Sequence, residues 1–239
     1  MKWKIPVAVV SAVATYLAVV IFCPCLALDT SFARSVQKGK SKPKCRQDMT
    51  VDCDGTPISV WLYLPEHAAK PLPCVILSNG LGGTKDAVLE PYALEFARNG
   101  IAAITYDYRY FGESGGEPRQ HFSGILQQED LRAVIAFART RMEIDGDKIV
   151  LWSTSVAGRY GINAAAQDPR IAGVIAQCPS LNHAKDDKIV FKREGIGYIL
   201  KLFMHAQRDK GRSRFGLSPH MIPIVGKPGS LALMNAPEA

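Results

Sequence analysis

The chain has 239 residues, 47% hydrophobic and 21% charged, with 20 glycines and 15 prolines, a composition that excludes a disordered tail, a collagen-like repeat and a disulfide-knotted miniprotein. The length accommodates one large domain or two small ones around a buried core. The net charge of +7 is local: residues 1–46 hold eight basic residues and one acid, Asp29, and residues 47–239 are neutral. With no groove-reading motif and no aromatic platform, no nucleic-acid partner is expected.

Lys2 and Lys4 precede an uncharged stretch from Ile5 to Leu28. As one helix it would reach about 36 Å, enough to cross a bilayer core. Pro24 interrupts the run, and Cys25-Leu26-Ala27 and Ser31-Phe32-Ala33 offer small-x-small cleavage patterns. Residues 1–28 therefore read as either a signal peptide or an uncleaved membrane anchor, and an exported or membrane-anchored protein is expected. The basic flank from Arg34 to Arg46 would hold to the cytoplasmic side if the segment is retained. Residues 29–46 read as a basic, solvated linker.

From residue 47 to 182 strand-like and helix-like segments alternate, the pattern of a mostly parallel sheet covered on both faces. Asp48–Cys53 and Ile58–Leu64 predict a hairpin turned at Asp54-Gly55. Pro73–Asn79 predicts a buried strand, Asp86–Asn99 a helix with Leu89, Ala93, Phe96 and Ala97 inward, and Ile101–Tyr106 another buried strand. Leu126–Met142 predicts a second amphipathic helix, Lys148–Ser153 a strand, Val156–Gln167 a helix and Ile171–Gln177 a strand. Cys45, Cys53, Cys74 and Cys178 show no paired spacing, so no metal is expected. Cys74 and Cys178 read as packed core thiols, and a Cys45–Cys53 bridge stays open if the domain is exported.

The most informative turn is Ser153-Thr154-Ser155-Val156-Ala157-Gly158, between a strand and a helix. A serine lifted clear of a sheet on a tight strand-to-helix turn tolerates only small residues two positions away, here Ser153 and Ala157. Ser155 is the candidate nucleophile, and the Val156 N–H, at a helix N-terminus, is a candidate oxyanion donor. The alternative is that Ser153 or Ser155 simply caps the helix. After the strand ending at Asn79, the loop Asn79-Gly80-Leu81-Gly82-Gly83 has the glycines to turn amides inward, with Leu81 as second donor. It lacks the Lys-Ser/Thr ending of a phosphate loop.

The segments SNGLGGTKD, YDYRYFGESGG, EPRQ, QQEDLRAVIAFAR, LWSTSVAG and DPRIAGVIAQCP resemble, in order and spacing over about residues 48–180, the α/β-hydrolases, in particular dienelactone hydrolases and Xaa-Pro dipeptidyl-peptidase-like hydrolases. The resemblance implies a serine hydrolase acting on a small-molecule ester, thioester or small amide without a cofactor. Ser155 would be its nucleophile, with Leu81 and Val156 as oxyanion donors. Asn79 stands where a histidine usually opens the oxyanion loop, and Ser153 where a glycine usually precedes the nucleophile. In this family the acid and histidine follow the fold's last two strands, which residues 183–239 do not suggest.

That region reads as a cap instead, with ten basic and four acidic residues over 183–227. Its apolar stripe Ile196, Ile199, Leu200, Phe203 and Met204 is expected to pack as a lid helix, the alternative being a wall for an acyl or apolar substrate. Asp186 or Asp187 and His183, His205 or His220 are the available substitutes for acid and base, the histidines reading more simply as surface or packing residues. The expectation is thus an α/β-hydrolase core at 47–182 and a cap at 183–239, truncated before the last two strands. A catalytically incomplete, membrane-associated homologue is the alternative to an active enzyme.

Overall fold

In the computed structural model, residues 7–23, 41–67 and 69–236 are described. They fall into two compact units, one of residues 30–183 and one combining 1–29 with 184–239.

The first unit begins with β1 (Arg46–Cys53) and β2 (Thr56–Tyr63), an antiparallel hairpin. Its turn residues Asp54 and Gly55 have φ of 50° and 77°, the paired positive values that a two-residue hairpin turn of matching twist requires. There follow β3 (Leu72–Ser78), α2 (Leu89–Arg98), β4 (Ala102–Tyr106), α3 (Gly124–Arg139), β5 (Ile144–Thr154), α4 (Val156–Gln167) and β6 (Ile171–Gln177); α1 (Val7–Phe22) belongs to the other unit. The six strands order as β1-β2-β4-β3-β5-β6. β2 meets β4 antiparallel, and β4, β3, β5 and β6 run parallel.

The period of two along each strand divides the core into two layers. Val60, Leu62, Cys74, Ile76 and Ile104 face one side, against Leu131, Val134 and Ile135 of α3 and Ala157 and Tyr160 of α4. Trp61, Tyr63, Val75, Leu77 and Ala103 face the other, against Leu89, Ala93 and Ala97 of α2. Helices thus cover both faces of the sheet, as the alternating pattern predicts.

Three elements have a boundary that differs from the sequence reading by three residues or more. α2 starts at Leu89 rather than Asp86, because Lys85–Val88 form turns and Lys85 spends its backbone N–H on Asp107. α3 runs from Gly124, where the Ser123 hydroxyl accepts the Leu126 N–H, to Arg139, two turns of chain closing the helix before Ile144. β5 extends back to Ile144, which pairs with Leu72 across an irregularity in register.

Two cysteine readings are corrected. Cys45 directly precedes the eight-residue β1 and Cys53 ends it, which separates them by roughly 25 Å, against the 4.4–6.8 Å between Cα atoms that a disulfide spans. Both are free thiols, and Cys178 is exposed rather than packed. Cys74 is a core thiol as read, pushed up to about 12 by burial.

In the second unit, α1 (Val7–Phe22) has 16 residues, and no helix among the described residues is long and apolar enough to cross a membrane. Both cleavage-like sites lie outside the described residues, as does most of the linker. α5 (His183–Arg214) is broken at Gly195, whose φ of 79° and ψ of 171° split it into two helices. Arg212 Nη1 donates to the carbonyls of Ile21 and Cys23 at 2.7 and 3.0 Å, and Arg208 Nη2 to that of Cys23 at 2.9 Å. Two cations of the basic segment thereby satisfy carbonyls at the C-terminus of α1, where the helix dipole favours positive charge. β7 (Val225–Gly226) and β8 (Met234–Asn235) form a small parallel pair. The expected packing of the lid stripe is not met: Ile196, Leu200, Phe203 and Met204 are all exposed.

Candidate active site

β5 ends at Thr154 and α4 begins at Val156, so a single residue, Ser155, makes the whole turn. Its φ of 55° and ψ of −125° lie outside the regions open to ordinary side chains, a strain that persists only where neighbours over-determine it. They do: the Ser155 N–H donates to the Gln177 carbonyl at 3.0 Å, and its carbonyl accepts the N–H groups of Gly158 and Ser180, each at 3.0 Å. Although Ser155 occupies the N-cap position of α4, its side chain makes no capping hydrogen bond. The capping alternative is thereby removed for Ser155, and its hydroxyl is left available.

The flanking small residues have definite reasons. Ser153 and Ala157 are fully buried. A Cβ on Gly161 would lie 2.8 Å from Ser153 Oγ, and one on Gly158 would lie 2.7 Å from the Pro179 Cβ. Ser153 therefore replaces the usual glycine by resting over a glycine of α4, at the cost of a buried hydroxyl with no partner among the described residues.

The glycine-rich loop after β3 reaches this turn. A Cβ on Gly80 would stand 3.0 Å from the Ser155 Cβ and 3.6 Å from its Oγ, so a side chain there would push the loop and the Ser155 turn apart by a few tenths of an ångström. Asn79 braces the loop internally: its Nδ2 donates to the Thr84 carbonyl at 2.7 Å, its Oδ1 accepts the Gly80 N–H at 3.3 Å, and it fills the space a Gly83 Cβ would need. Leu81 follows Gly80 directly, and Val156 opens α4, where an N–H has no helical carbonyl to meet. The structure thus brings the loop bearing Leu81 against the turn bearing Ser155 and Val156.

Of the candidates for acid and base, Asp186, Asp187, His205 and His220 belong to the other unit. His205 Nδ1 and His220 Nε2 lie 2.6 Å apart, in the other unit, and the backbone N–H of His220 donates to Asp209 Oδ1 at 2.7 Å. Burial and the nearby Arg208 hold both imidazoles below the ordinary value of 6.5. Asp186 lies in the first turn of α5, and the side chains of His183 and Asp187 lie outside the described set. In the unit of Ser155, His67 faces Glu66 and His121 packs edge-on against Tyr110. Among the described residues the six-stranded sheet ends at β6. No group of residues there could hold a metal ion.

Residues 69–211 match the family described as serine aminopeptidase, S33. The chain belongs to this α/β-hydrolase family. It is 37% identical over 197 residues to the quorum-quenching protein AidA of Acinetobacter baumannii, covering 82% of this chain and 63% of that protein. It is 34% identical to the thiohydrolase aneE of Aspergillus aculeatus, covering 74% of this chain and 54% of that one. The polyketide transferase grgF of Penicillium is 31% identical, at 74% and 56% coverage. The crystal structure of α/β hydrolase GrgF superposes on 78% of this chain and 61% of its own, with a TM-score of 0.63 at 29% identity. The chain therefore spans between 54% and 63% of the length of these curated relatives.

Sequence reasoning passed over two buried charge clusters at the carboxyl edge of the sheet. Arg109 Nε donates to Asp130 Oδ1 at 2.5 Å, and its Nη2 to Glu129 at 3.1 Å and to Cys53 Sγ at 3.0 Å. Burial nonetheless pushes the Cys53 thiol up to about 11. Lys85 bonds Asp107 and Glu113. The available signal is the charge of the segment Asp107–Glu113, which directly follows an apolar strand.

Proposed function

We propose that the chain acts as a serine hydrolase on an ester, a thioester or a small amide. Ser155 Oγ forms a bond to the substrate carbonyl carbon, and the N–H groups of Leu81 and Val156 receive the charge that develops on the carbonyl oxygen. The bond to the leaving group then breaks, the leaving group departs with the proton that the Ser155 hydroxyl gave up, and water cleaves the acyl-serine, releasing the acid and restoring the hydroxyl. The observation that carries this reading is the backbone of Ser155: a left-handed φ of 55° at a one-residue strand-to-helix turn, with the hydroxyl uncommitted to capping. The relatives named as a thiohydrolase and a polyketide transferase support a reading of acyl chemistry.

Hydrolysis of p-nitrophenyl acetate and of an acyl thioester is the test. Ser155→Ala is expected to lower kcat by at least about 1,000-fold while leaving the circular dichroism spectrum unchanged. A variant retaining a tenth of the activity would contradict the assignment. Export or membrane attachment through residues 1–28 remains a proposal from sequence, tested by the mass of the mature N-terminus.

A further inference from the structure

Lys85 is a lysine with a side chain 1% exposed, against an Asp107 carboxylate also 1% exposed. Its Nζ donates to Asp107 Oδ2 at 2.6 Å and to Glu113 Oε2 at 2.7 Å, and it sits 4.6 Å from the centre of the Trp61 ring. Asp107 reaches further than its lysine. Oδ1 accepts the backbone N–H of Lys85 at 2.7 Å, and Oδ2 accepts that of Glu113 at 2.9 Å. The chain from 107 to 113 wraps the carboxylate so closely that a Cβ on Gly112, whose φ is 51°, would lie 2.2 Å from Oδ2.

Stability is a poor explanation for this arrangement. Removing two charges from water costs several kcal/mol per ion, and well-packed apolar pairs of similar volume often serve a core as well or better. Position is a better one. In the sheet β4, β3 and β5 are consecutive neighbours, so the loop after β3 lies between the loop after β4 and the turn after β5. At one end Gly80 packs on Ser155. At the other, Lys85 is held by Asp107 through both backbone and side chain. Between the two, Asn79 ties back to Thr84, and the Gly83 N–H closes on the Gly80 carbonyl at 3.2 Å. Leu81 sits inside this doubly anchored span.

We infer that Lys85 and Asp107 are positioning residues for the oxyanion hole: their pair pins the far end of the 79–84 loop to the 107–113 turn and so sets where the Leu81 N–H points. The inference rests on the hydrolase reading above. A misplacement of about 1 Å at such a donor costs on the order of 100-fold in rate. It acts on kcat rather than KM, because the oxyanion exists only in the transition state.

The test measures p-nitrophenyl acetate hydrolysis per active site, titrated with a fluorophosphonate, together with hydrogen exchange over residues 79–88. Lys85→Met is expected to lose about 100-fold in kcat with KM within about twofold of wild type, and to speed exchange of 79–84 at least about tenfold. The double variant Lys85→Met/Asp107→Asn removes both buried charges and is expected to fold even where the single variant does not, since it leaves no unpaired buried charge. It is expected to match the single loss within about threefold, because the two residues act as one device. Glu113→Gln, at a half-exposed carboxylate, is expected to lose less than about threefold. The inference is overturned if the double variant keeps kcat per titrated site within threefold of wild type, or if exchange of 79–84 does not change. An unlabelled wild type would instead sink the hydrolase reading, and the exchange experiment would still decide whether Lys85 holds the loop.

Discussion

The two compact units treat their apolar residues in opposite ways. In residues 30–183, β2, β3, β4 and β5 with α2, α3 and α4 bury apolar side chains in two layers, with Ile58, Leu62, Ile76, Leu77 and Ile104 wholly inaccessible. In the other unit, α5 has an equally regular stripe, yet Ile196, Leu200 and Phe203 are each more than half exposed. Periodicity alone therefore does not create a core. A helix buries its stripe only where another element offers a complementary face.

Substitutions sharpen that contrast. Ile104→Ala, in a central strand, should cost about 3 kcal/mol in a urea melt, since it removes a fully packed side chain and leaves a cavity. A loss below about 1 kcal/mol would mean that the layered core is looser than its burial shows. The next effect is one of pH. His205 and His220 have folded-state values depressed below 6.5, so the unfolded chain binds more protons and stability rises with pH. Arg208, Lys201 and Arg212 disfavour their protonation, and Asp209 opposes this at His220. Their contribution is present above pH 6.5 and lost as pH falls below it, so hydrogen exchange over 199–222 should quicken on acidification while 72–78 stays protected. Equal responses in both segments would break the distinction between the units. The smallest effect is expected at Leu200→Ser, which should change stability by less than about 0.5 kcal/mol. A loss above 1.5 kcal/mol would show that the α5 stripe is covered after all.

Much of the first unit was legible because its signals are local. The hairpin turn Asp54-Gly55, α4 and β6 match the sequence reading, the last two with the same bounds. The strand–Ser155–helix turn needed only the small residues around it. What stayed hidden depends on contacts remote in sequence. Lys85 meeting Asp107 is a 22-residue separation, and it pulls the start of α2 back to Leu89. Cys178 looked like the end of a buried run, but β6 is the edge of the sheet among the described residues, with Ile175 half exposed. Asn79 looked like a departure from the family, and its explanation lay in a bond to Thr84 that no pattern announces. The histidines near the apolar stripe were read as packing residues, with no hint that they pair with each other.

The central claim is that the strained turn after β5 presents a reactive serine. Treating the purified chain with a fluorophosphonate probe and mapping the adduct by peptide mass spectrometry tests it most directly. The account predicts a single adduct on Ser155 that disappears in Ser155→Ala. An absence of adduct, or an adduct that survives that substitution, would contradict it.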